Sequence, residues 1–111
     1  MINKTHYIYG LFDPLTGEVR YIGRTVNLKK RLMEHMGKHT NDIKSAWINA
    51  LEKAGERPQM ATLETATTLD DAKHIEHQWI RRCLDGGADL TNGVYPGYTR
   101  GGRRQRKHEQ G

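Results

Sequence analysis

The 111-residue sequence predicts an α+β domain: a small three-stranded antiparallel sheet flanked by about three helices, in the chain order β-β-α-α-β-α. Three observations carry that expectation. Two runs rich in Tyr, Ile, Val and Phe, residues 5–12 and 18–24, lie on either side of a short turn cluster, as the arms of a hairpin do. Three later segments place apolar residues at helical spacing. Residues 59–65 alternate apolar and polar side chains between the second and third of these segments, as a half-buried strand would.

Taken in order, Asp13-Pro14-Leu15-Thr16-Gly17 supplies the turn formers that join the first two strands. Tyr7 and Tyr9 are two apart and share a face of the first strand, and Tyr21 is expected opposite Tyr9 on the second. Asn27 can cap a helix running to about Met36, with Leu28, Leu32 and Met36 as one apolar stripe and Gly37 as its end. A second helix is expected over about 42–54, with Ile43, Ala46, Trp47, Ala50 and Leu51 inward and Gly55 as the stop signal. Thr68 begins a third helix to about Leu84, where Asp70 and Asp71 complement the dipole of its first turn. Its apolar face comprises Ala72, Ile75, Trp79, Ile80 and Cys83. Glycines, Pro96 and arginines dominate from Gly86 onward, so 86–96 reads as an ordered loop and about 99–111 as a mobile tail. The expected organisation is one catalytic-sized domain, 1–96, and a basic Gly/Arg-rich segment, 97–111.

The formal charge of +5 is unevenly distributed. Residues 97–111 hold Arg100, Arg103, Arg104, Arg106 and Lys107 against Glu109 alone. Residues 20–44 hold Arg20, Arg24, Lys29, Lys30, Arg31, Lys38 and Lys44 against Glu34 and Asp42. Clustered cations of this kind favour a polyanion, because phosphates release condensed counterions when they are neutralised. No run approaches the ~20 apolar residues of a membrane span, and the N-terminus lacks a signal-peptide core. The expectation is a cytoplasmic protein without membrane contact, nucleoid-associated in a bacterial or phage setting. Cys83 is the single cysteine, which excludes an internal disulfide and a thiolate-rich zinc cage.

Tyr7-Ile8-Tyr9, then Tyr21-Ile22-Gly23-Arg24-Thr25 after eleven residues, then Asn27 to His35, resembles the signature of the GIY-YIG nucleases. Tyr7 departs from it, standing where the first motif usually has Gly. The resemblance extends to His39 after the first helix, Glu76 within the third and Asn92 in the loop beyond, and so covers residues 6 to about 96. It implies a DNA endonuclease whose site residues are Tyr9, Tyr21, Arg31, His35, His39, Glu76 and Asn92, with one Mg²⁺ or Mn²⁺ held by Glu76.

Chemically the set is adequate for phosphodiester hydrolysis. Arg31 and His35 are four apart on one helix face, and the planar guanidinium suits two phosphate oxygens. Magnesium commonly uses one or two carboxylates and completes its shell with water and phosphate oxygens. A free phenol has a pKa of about 10, so Tyr9 or Tyr21 as base requires a depressed pKa or a relay through His35 or His39. Arg24, Lys29, Lys30, Lys38 and the cations of the tail, Arg100 to Lys107, are candidate DNA contacts. The expected partner is DNA, double-stranded or branched, with a homodimer or protein partner left open. The alternatives are a catalytically silent DNA-binding module and a nuclease subunit of a larger complex.

Overall fold

The computed structural model describes residues 4–37 and 42–92. It contains β1 (His6–Phe12), β2 (Val19–Thr25), α1 (Leu28–Gly37), α2 (Ile43–Lys53), β3 (Gln59–Ala66) and α3 (Leu69–Asp85). This is the β-β-α-α-β-α order expected from the sequence. The three strands form one antiparallel sheet in the spatial order β2-β1-β3. His39, Lys38 and the cations Arg100, Arg103, Arg104, Arg106 and Lys107 lie outside the described residues.

The local signals act as their chemistry dictates. Asp13 accepts from Leu15 N at 2.8 Å, and Gly17 closes the hairpin turn at φ +78°, a conformation that strains residues bearing a Cβ. Asn27 Oδ1 accepts from Lys30 N at 3.0 Å and caps α1, Asp42 Oδ1 accepts from Ser45 N at 2.8 Å and caps α2, and Thr68 Oγ1 accepts from Asp71 N at 3.1 Å and caps α3. Each caps one of the amide donors that a helix start leaves unpaired. Gly55, also at φ +78°, ends α2, its amide and that of Glu56 reaching back to Glu52 O and Leu51 O.

Each face of the sheet carries its own core. On one side Ile8, Ile22 and Ala66 pack with Ala72, Ile80 and Leu84 of α3 and with Leu90. On the other, Tyr9 and Leu11 pack with Trp47, Ile48 and Leu51 of α2, flanked by Tyr21 and by the α1 stripe Leu28, Leu32 and Met36. Full burial of one such aliphatic side chain is worth about 1.5–3 kcal/mol. Tyr9 spends its burial differently, because it carries a hydroxyl into the core.

Two sequence expectations are corrected. Tyr21 does not lie opposite Tyr9: Tyr9 pairs with Gly23 and Tyr21 with Leu11. A register shift leaves Arg20 unpaired between Val19 and Tyr21, which puts Tyr21 diagonal to Tyr9 on the same face. The inward face of α2 is also rotated, since Ser45, Trp47, Ile48 and Leu51 are buried while Ala46 and Ala50 are exposed. Ile48 has more apolar surface to bury than either alanine, and Trp47 is fixed by its Nε1 donating to the buried Asp13 carboxylate at 3.0 Å. That bond holds the Asp13 carboxyl below the usual carboxylate range. Cys83 and Trp79 are only partly buried, at the rim of the α3 core.

Candidate active site

The side chains that matter are brought together by β1, β2 and α1. Tyr9 is wholly buried, at 0% exposure, and its hydroxyl is hydrogen-bonded to His35 Nε2 at 2.7 Å. Arg31 Nε reaches the same oxygen at 3.4 Å, and its Nη1 donates to Glu34 Oε1 at 3.0 Å. Tyr21, partly exposed, meets the Tyr9 ring at a tilt and the His35 ring edge-on, with centroids 6.1 Å and 5.1 Å away. Two phenols, an imidazole and a guanidinium are thus brought together.

Electrostatics set the protonation states. Burial pulls the His35 imidazole down from 6.5 to about 4, and the Lys44 and Arg31 charges add to this while Glu34 opposes it. His35 is neutral at neutral pH, and in the tautomer protonated on Nδ1 its Nε2 accepts from Tyr9. Burial also pushes the Tyr9 phenol well above its ordinary value, with the Tyr21 phenol adding to the effect and Arg31 working against it. The bond to Tyr9 leads in pushing the Arg31 guanidinium pKa further up, so that it stays charged.

Arg31 also lines a cleft of about 640 Å³, together with Lys4, Tyr7, Arg24, Asn27, Lys30 and the acidic Glu34. Four cations against one carboxylate give the cleft a positive interior. Lys29 is exposed on the same helix. Glu76 sits on α3, against the other face of the sheet, and reaches this region through Arg24, whose Nε donates to Glu76 Oε1 at 3.0 Å. Asn92 is occupied differently: its Oδ1 accepts from Ile22 N at 3.0 Å and its Nδ2 donates to Ile22 O at 2.7 Å. With Thr91 Oγ1 donating to Arg20 O at 2.8 Å, it closes the free edge of β2 next to Tyr21.

Sequence reasoning missed three participants. Gly23 is required by shape, because a Cβ there would stand 2.6 Å from the Tyr9 hydroxyl and 2.8 Å from Tyr21 Cε2. Its place in Tyr21-Ile22-Gly23 was the available signal. Lys44 places its ammonium 5.0 Å from the Tyr21 ring centre. It belongs to the basic run of residues 20–44, yet only the docking of α2 reveals what it touches. The Arg24–Glu76 pair joins residues 52 apart in sequence, and no spacing rule reports such a contact.

Among the described residues no group of three His, Cys, Asp or Glu is clustered to hold a metal. The partly sheltered Glu76 carboxylate fits the sparse donor set of a magnesium site completed by substrate oxygens. No described helix is long and apolar enough to cross a membrane.

The GIY-YIG catalytic domain matches residues 5–85, most of the chain. No curated protein and no solved structure matches it. By its match to that domain the chain belongs to the GIY-YIG family, whose catalytic domain is a nuclease acting on DNA.

Proposed function

We propose that the chain is a divalent-metal-dependent endonuclease that hydrolyses DNA phosphodiester bonds. The observation that carries this reading is the Tyr9 hydroxyl, fixed between neutral His35 and Arg31 behind a basic cleft. A neutral imidazole lies on one side of it and a guanidinium on the other.

Arg31 binds the non-bridging oxygens of the scissile phosphate, and its planar fork opposes the charge that grows in the transition state. Tyr21 is the phenol that meets the attacking water, because it is partly exposed whereas Tyr9 is sealed off and held protonated. Tyr9 and His35 form the second rank: their hydrogen bond fixes the Tyr9 ring beside Tyr21 and so positions the phenol that faces the water. Phosphate in the cleft offsets the Lys44 and Arg31 charges that depress His35, and so makes the imidazole a better acceptor when substrate is bound. Glu76 would hold one Mg²⁺ or Mn²⁺, which when bound neutralises phosphoryl charge. Asn92 keeps β2, and with it Tyr21, in place. Arg24, Lys29 and Lys30 supply phosphate contacts along the duplex or branch.

The test is incubation of purified protein with supercoiled plasmid, branched DNA and RNA, with and without Mg²⁺ or Mn²⁺, beside Glu76→Gln. Metal-dependent cleavage of DNA by the wild type and none by folded Glu76→Gln is expected. Undiminished nicking by Glu76→Gln would remove the metal assignment, and DNA binding without cleavage under any metal would identify a silent binding module.

A further inference from the structure

Arg24 belongs to two environments at once. It lines the basic cleft beside Lys4, Lys30 and Arg31, and it donates through Nε to Glu76 Oε1 at 3.0 Å. The pair is half sheltered, with side-chain exposures of 35% for Arg24 and 20% for Glu76. Water therefore screens the two charges incompletely, and each alters what the other can bind. In this pairing Glu76 has a cation against one oxygen, and a divalent ion arriving at the carboxylate meets a like charge at contact range. A guanidinium has five N–H donors, so the nitrogens beyond Nε can engage a phosphate in the cleft.

We propose that Arg24 is a charge gate that couples DNA binding to metal binding. Without a nucleic-acid phosphate in the cleft, Arg24 caps Glu76 and keeps it a poor cation ligand. A phosphate entering the cleft takes up the guanidinium charge, and Glu76 becomes available to the ion. The gate rests on the reading of Glu76 as the metal ligand, and Arg24 acts through Glu76 as a positioning residue. Linkage makes the coupling reciprocal: the factor by which DNA tightens metal binding is the factor by which metal tightens DNA binding.

The test measures Mn²⁺ affinity of the full chain by electron paramagnetic resonance of the free ion, without DNA and then with an uncleavable phosphorothioate duplex. Without DNA, Arg24→Gln or Arg24→Met should bind Mn²⁺ more tightly than wild type by about five- to a hundredfold, the span of ordinary site-to-site couplings. Arg24→Lys, which keeps the charge, should stay near wild type. The duplex should tighten Mn²⁺ binding in wild type by a larger factor than in Arg24→Gln. Either neutral variant serves, since Arg24 is partly exposed and each is checked for folding by thermal melting. If a folded neutral variant matches wild type while Glu76→Gln abolishes Mn²⁺ binding, the gate is overturned and the metal assignment stands. If Mn²⁺ binding is indifferent to Glu76→Gln, the assignment falls and the gate falls with it.

Discussion

Acid should unfold this protein partly through His35. The imidazole is 3% exposed, and its pKa falls from 6.5 in the unfolded chain to about 4 in the fold. Between those values the unfolded chain holds a proton on residue 35 that the folded chain does not, so lowering the pH favours unfolding. The stabilising contribution is complete above about 6.5 and is lost as pH falls to about 4. At about 1.36 kcal/mol per pH unit the gap corresponds to an upper bound of roughly 3 kcal/mol. Urea unfolding of wild type and His35→Phe between about pH 7.5 and about pH 4.5 measures it, since Phe keeps a ring in the core and removes the titration. The Asp13 carboxylate, also held below its usual range, loses its contribution at acid pH in both proteins and cancels in the difference. Wild type should lose about 2–3 kcal/mol more than the variant across that range. Parallel stability curves, or a His35 resonance titrating near its ordinary value, would refute the reasoning.

Three further substitutions probe the same constellation. Gly23→Ala forces a Cβ to within 2.6 Å of the Tyr9 hydroxyl, and should cost about 1–3 kcal/mol in urea unfolding and lower the cleavage rate, because both phenols must shift. Asn92→Ala removes both side-chain bonds to Ile22, and should cost about 1–3 kcal/mol and speed amide exchange at Ile22. Arg31→Ala should slow single-turnover cleavage by roughly 10² to 10³, the scale of one lost transition-state donor, and a loss of tenfold or less would place Arg31 outside the reaction.

Much of the fold was legible because its signals are local. Asn27 and Thr68 cap the helices they were expected to cap, and Gly17 and Gly55 adopt the positive φ their places require. What sequence could not supply was register and rotation. One unpaired residue, Arg20, resets the pairing by one so that Tyr21 meets Leu11 and lies diagonal to Tyr9, and bulges leave no reliable mark in composition. The choice between Ala46 and Ile48 as the inward residue of α2 was settled by tertiary contact, with Trp47 anchored to Asp13 from across the fold. The site divides the same way. Arg31 and His35 share a helix face by spacing alone, whereas Arg24 and Glu76 were assigned separate tasks and are ion-paired. His39, Lys38 and the tail cations fall outside the described residues, so their roles rest on sequence.

The central claim, that a phenol backed by Tyr9 and His35 activates the water, is tested most directly by single-turnover DNA cleavage at saturating metal and protein. Wild type, Tyr9→Phe and Tyr21→Phe are compared from neutral to alkaline pH. A wild-type rate that climbs from neutral toward alkaline pH is expected, because removing a proton from the water is then favoured. Tyr21→Phe should fall by about 10² to 10⁴ and lose that climb, with Tyr9→Phe impaired less severely. A rate that is flat with pH, with both Phe variants cleaving at the wild-type rate, would contradict it.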